Sequence, residues 1–134
     1  MKFVLCTFLT LFSFVFSSTV LASEHGGGGG GGTYKELAPP FVVNLPDVRQ
    51  SRFLQVAVAV SSPDEAVLHA VEAHAPLLRN NLIMLFTGQT KDVVTTREGR
   101  EKLRADAEEV VNKALKEVGS HPIEALYFTS LVVQ

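Results

Sequence analysis

The four histidines are the side chains best suited to moving protons or holding a metal near neutral pH. His69 and His74 are five positions apart. That separates them by about 140° around a helix, so they cannot readily share an ion. Glu65 lies four positions before His69 and can pair with it, but two ligands are too few for a structural zinc site. The plain reading is a solvated pair on a helix face. His121 precedes Pro122 in a loop, and His25 abuts a glycine run, neither with an evident partner.

The nucleophiles are no more promising. No serine sits in a nucleophile-elbow pattern, and the single cysteine, Cys6, lies within the N-terminal apolar segment. Asp106, Glu108 and Glu109 form an acidic cluster, but they share their segment with Arg100, Lys102, Arg104, Lys113 and Lys116. Several of these fall at i,i+4 spacing, Glu109 and Lys113 among them, as on a solvated, ion-paired helix face. Nothing suggests the pocket that a paired-carboxylate site needs to raise one pKa. Asn80-Asn81 and the hydroxyl-rich loop Thr87 to Thr96 are left as a polar helix edge and a candidate partner contact. The expectation is no catalytic, cofactor-binding or metal-binding residues, and a protein that works through a folded surface and an address rather than as an enzyme.

The address stands at the N-terminus. Lys2 is followed by an apolar run from Phe3 to Phe16 and then by Ser17-Ser-Thr-Val-Leu-Ala22. Val20 and Ala22 fit a signal-peptidase site, so residues 1–22 read as a secretory signal peptide. The same stretch also meets the ~20 residues of a spanning helix, and an uncleaved anchor is the competing reading. In both cases the rest of the chain is exported, with Lys2 staying inside. Residues 23–32 include seven consecutive glycines, Gly26 to Gly32. Ordering glycine costs too much entropy for a packed structure, and the run reads as a flexible tether of about 15 Å. Loss of Cys6 with the signal leaves no disulfide. Loss of Lys2 takes the formal charge from −2 to −3, with no basic excess to favour nucleic acid.

Residues 33–134 remain as one foldable domain. Phe41 to Leu45 reads as a strand with Phe41, Val43 and Leu45 on one face, and Pro46 to Ser51 suits a hairpin loop. Arg52 to Ser61 alternates cleanly, with Leu54, Val56, Val58 and Val60 on one side. Ser62-Pro-Asp-Glu65 predicts a helix start with Ser62 as cap and Glu65 completing a capping box. Val67, Val71, Ala75, Leu78, Leu82 and Leu85 follow at helical spacing, and Pro76 should kink or split that helix. A short turn over Thr90 to Val94 precedes a helix over Arg97 to Val118, capped by Thr96. Its predicted buried stripe is Leu103, Ala107, Val110, Ala114 and Leu115, and Gly119 with Pro122 ends it.

Ile123 to Val133 is the last strand. Strict alternation puts Leu126, Phe128 and Val132 on one face and Tyr127, Leu131 and Val133 on the other. A strand with one wet face should not be apolar on both. Either a loop or the kinked helix covers the second face, or another molecule does, which marks Tyr127, Leu131 and Val133 as a candidate protein interface and a route to self-association. The order strand, strand, helix, helix, strand predicts an α+β domain, a small antiparallel sheet with helices on one face.

Several segments together resemble a known family. They are Tyr34-Lys-Glu-Leu37 with Pro40-Phe-Val-Val-Asn-Leu45, Arg52-Phe-Leu-Gln-Val56, Ser62-Pro-Asp-Glu65, and Pro76-Leu-Leu-Arg79 with Leu82-Ile-Met-Leu85. Thr95-Thr-Arg-Glu-Gly-Arg100 with Leu103-Arg104, and the closing Tyr127-Phe-Thr-Ser-Leu-Val-Val-Gln134, complete the set. This collinear set resembles the exported domain of FliL, the flagellar basal-body-associated family. The resemblance implies an inner-membrane-associated periplasmic protein that partners flagellar stator or basal-body proteins and supports motility, including swarming. It also implies a fold similar to stomatin/prohibitin-type domains, which tend to form rings, with no catalytic residue or cofactor. The family pattern opens with a basic stretch, a transmembrane helix and a linker, whereas this sequence opens with one lysine and a cleavable signal.

Two expectations follow. One is a non-enzymatic periplasmic scaffold of the flagellar basal body that supports stator-driven motility and chemotaxis, self-associates or docks on motor components, and touches the membrane only through an uncleaved N-terminal segment. The other is a soluble periplasmic module that binds a small molecule or peptide in a pocket beneath the kinked helix.

Overall fold

A computed structural model describes residues 33–46 and 51–134. The signal peptide and tether readings, with Cys6 and His25, lie outside the described residues, as does most of the hairpin loop. The described chain runs β1 (Thr33–Glu36), β2 (Phe41–Leu45), β3 (Arg52–Ser62), α1 (Glu65–Ala73), α2 (Ala75–Thr87), α3 (Lys91–Thr95), α4 (Arg97–Glu117) and β4 (Ala125–Val133). It is an α+β fold with one open antiparallel sheet. The long β3 is the spine. β1 and β2 pair end to end along one of its edges, and β4 pairs along the other.

Alternation on the strands decides which face meets the helices. Phe41, Val43 and Leu45 of β2 and Leu54, Val56, Val58 and Val60 of β3 are buried on the helix side. They meet Val67 and Val71 of α1, Leu78, Leu82 and Phe86 of α2, and Leu103, Ala107, Val111, Ala114 and Leu115 of α4. Complete burial of each large apolar side chain contributes about 1.5–3 kcal/mol, so this single layer of contacts is the main source of stability. Three aromatic rings cross it. Phe41 stands edge-on to Phe86 at 5.4 Å between centroids, and Phe86 to Phe128 at 6.0 Å.

The structure differs from the sequence reading in four places. A strand, β1, precedes the expected first one and pairs Thr33 to Glu36 with Ser62 to Ala59. This pairing keeps Ser62 within β3, so the helix cap moves to Asp64, whose Oδ1 accepts from the Ala66 N–H at 2.9 Å. Ser62 Oγ instead accepts from the Asp64 N–H. The helix does split before Pro76, at His74, which leaves the proline in the first turn of α2 where its missing N–H costs nothing. On α4 the fifth buried side chain is Val111, with Val110 half-buried.

The fourth difference concerns β4. Phe128 pairs with Val58 and Ser130 with Ala57, so Thr129 is one residue too many and forms a β-bulge. Skipping one residue exchanges the faces of everything beyond it. Leu126 and Phe128 face the helices before the bulge, and Leu131 and Val133 face them after it. Tyr127 and Val132 are left on the opposite face, each 42% exposed. The double-sided apolar pattern is thus the signature of the bulge, not of a strand buried on both sides. Leu131 and Val133 are half-buried against the core and do not share a face with Tyr127.

Candidate functional site

The sheet face turned away from the helices is uncovered among the described residues. Its cross-strand rows follow from the pairing register. One row is Val42, Gln55 and Val132, and the next towards the sheet's other end passes through Ala57 and Ser130. Beyond it come Glu36, Ala59 and Tyr127, then Tyr34, Ser61 and Ala125. Tyr34, Val42 and Phe53 are 61%, 63% and 50% exposed. Tyr34 and Tyr127 reach across the small residues of β3 with ring centroids 5.9 Å apart. Glu36 is the one charged side chain in these rows. Five exposed apolar side chains thus share one sheet face, interspersed with Gln55, Ser130 and Glu36, which makes it a candidate interaction surface.

Of the three residues singled out in the sequence, only Tyr127 lies here. Tyr34, Val42 and Phe53 complete the surface and were missed. Their signal was the apolar residue at an outward position of an alternating strand, visible once the faces are assigned.

The second feature is the flank where α4 runs beside β4. Arg97, Arg100, Glu101 and Arg104 recur at i, i+3, i+4 and i+7 and form one stripe on the helix. With Tyr127 to Leu131 of β4 they line an open groove of about 450 Å³. Arg104 donates to Glu108 at 3.0 Å and to Glu101 at 3.4 Å. It also reaches the Leu126 carbonyl, while Glu108 accepts from the Leu126 N–H, both at 3.3 Å. This pair closes the outer edge of β4 at Leu126. Thr96 Oγ1 caps α4 by accepting from the Gly99 N–H at 3.1 Å.

Among the described residues the titratable clusters do not assemble into a reaction centre. His69 and His121 are exposed, and His74 sits at the junction of α1 and α2. Asp106 pairs with Lys102 at 2.7 Å and Glu108 is held as above, so two of the three acids of the cluster are taken up in ion pairs. Glu72 accepts from Lys35 at 2.8 Å, and that hydrogen bond and charge hold its carboxyl below the usual range. The hydroxyls of Thr87 and Thr95 bond their own helices. Asn81 lines a second open groove with Leu77 and Met84, between α2 and α4. No group of three His, Cys, Asp or Glu side chains is placed to hold a metal among the described residues. No helix there is long and apolar enough to cross a membrane.

Comparison with known proteins covers this whole domain. Residues 34–134 match the family described as flagellar basal body-associated protein FliL. A relative from Aquifex aeolicus (strain VF5), named flagellar protein FliL, is 30% identical over 99 residues, which are 74% of this chain and 60% of the relative. The chain therefore spans less than two thirds of that relative's length. With the family matched over all but the N-terminal quarter of the sequence, the chain belongs to the FliL family of flagellar basal body-associated proteins.

Proposed function

We propose that this protein is a non-enzymatic accessory scaffold on the periplasmic side of the flagellar basal body, supporting stator-driven motility and chemotaxis. The observation that carries the reading is the apolar sheet face displayed by a domain of this family. Tyr34, Val42, Phe53, Tyr127 and Val132 stand exposed on a sheet whose other face is fully used by the core. Such a face contributes nothing to folding while it remains wet, and gains hydrophobic free energy when covered. Stator or basal-body proteins and further copies of this chain are the partners in this reading, and Tyr127 is the interface residue retained from the sequence. The apolar segment at residues 1–22 supports export, either as a cleaved signal or as a tether to the inner membrane.

Deletion of the gene in its flagellated host tests the role. Swimming and swarming should fall while flagella are still assembled. Unchanged motility with flagella intact would overturn the reading.

A further inference from the structure

We infer that the free edge of β4 beside α4 is a docking groove for an extended segment of another protein that alternates acidic and apolar residues. Among the described residues β4 pairs with β3 on one side only. Phe53 and Gln134 exchange both backbone hydrogen bonds at 2.9 Å, which fixes the phase of the antiparallel ladder. Val132 and Ser130 then point their backbone groups at β3, and Leu131 and Val133 point theirs outward. Beyond the bulge Leu126 and Phe128 point outward, as the contacts of Leu126 with Arg104 and Glu108 show. Leu126 is satisfied by those side chains. Among the described residues the outward backbone groups of Phe128, Leu131 and Val133 are left open; Leu131 and Val133 offer donors and acceptors at ladder spacing to an added strand, and the bulge at Thr129 sets Phe128 out of that spacing by one residue.

The charge beside this edge selects the occupant. Arg97 and Arg100 have no carboxylate partner among the described residues, and Arg100 donates only to the Thr95 and Thr96 carbonyls. Arg104 is already paired with Glu101 and Glu108, so Arg97 and Arg100 are the cations left to meet a ligand. Arg97 and Arg100 are about 4.5 Å apart in axial rise along α4. Alternate side chains of an extended peptide are about 6.8 Å apart, a mismatch of about 2 Å that the long arginine side chains can span to meet carboxylates at every second position. The intervening side chains emerge on the opposite sheet face, beside Tyr127 and Val132, where apolar residues continue the exposed surface.

The inference rests on the scaffold role proposed above, but its test is separate. A peptide titration on the purified protein and a motility assay can each fail without the other. The probe is a fluorescent eight-residue peptide of alternating valine and glutamate, titrated by anisotropy into the full chain. Saturable binding is expected below about 1 mM, weakened about tenfold by Arg97→Glu with Arg100→Glu. Arg97→Glu alone, at a residue with no ion pair to lose, should weaken it in the same direction. N-methylation of the peptide amides along one edge should abolish binding, and along the other edge should not, because only one edge enters the ladder. Equal binding of a valine–lysine peptide, no binding of the glutamate peptide, or indifference to N-methylation at both edges would overturn the proposal. Light scattering that shows paired copies dissociated by the peptide would also overturn it, since the edge would then belong to a second copy.

Discussion

The guanidinium of Arg79 lies 4.3 Å from the centre of the Phe41 ring, stacked on the first residue of β2. Its Nη1 also donates to the carbonyls of Leu37 at 2.6 Å and Pro39 at 2.7 Å. One side chain of α2 thus holds the bend that carries the chain from β1 to β2. Both strands depend on this bend to reach the same edge of β3. A planar cation suits the site because it can stack and donate together, which an ammonium cannot reproduce.

Arg79→Ala should therefore destabilise the domain by about 2 kcal/mol, from lost charge-assisted hydrogen bonds and cation–π contact. Arg79→Lys should recover only part of this. Urea denaturation followed by circular dichroism measures both.

Gly99 offers a test of close packing. A Cβ there would lie 2.1 Å from the Val93 carbonyl oxygen and 2.7 Å from Thr96 Oγ1. Helix propensity alone favours alanine over glycine by about 1 kcal/mol. Gly99→Ala should nevertheless destabilise, because α3 must move away and the Thr96 cap must break. A stabilised variant in thermal melts would contradict the placement of α3 against α4.

The bulge at Thr129 predicts opposite outcomes for neighbouring residues. Leu131→Ala should cost about 2 kcal/mol, as for a side chain packed on the core. Val132→Ala should change stability by no more than about 0.5 kcal/mol. Denaturant midpoints of the two variants decide the face assignment, and the reverse ranking would restore strict alternation.

Lys35 and Glu72 join β1 to α1. Because the Glu72 carboxyl is held below its usual range by Lys35, the contribution of this tie is present above the ordinary carboxylate pKa. It is lost as the pH falls through the lowered value. Carbon-detected NMR titration should show the Glu72 midpoint rising towards an ordinary glutamate in Lys35→Ala. No change would remove Lys35 as the cause.

Much of the fold was legible in the residues. The alternation of Leu54 to Val60, the Thr96 cap, Pro76 and Gly119 each carry a local physical requirement. Gly119, at φ 79°, occupies the left-handed position that follows the helix. The missed elements depend on distant partners. Thr33 to Glu36 has little apolar content and becomes a strand only because β3 extends far enough to pair with it. The bulge was invisible because alternation is read without knowing the opposite strand, and so Leu131 and Val133 fell on the wrong face. Val42 and Phe53 look like ordinary strand residues until the core face is fixed.

The central claim is that the uncovered sheet face is the working surface. Val42 and Val132 flank Gln55 in one row across three strands. Both are well exposed, so glutamates there should leave the fold intact. The most direct measurement is the swimming and swarming of host cells whose sole copy carries Val42→Glu with Val132→Glu, with protein level and flagellar number monitored. Motility should be lost or strongly reduced at normal protein level and flagellation. Wild-type motility in that strain would contradict it.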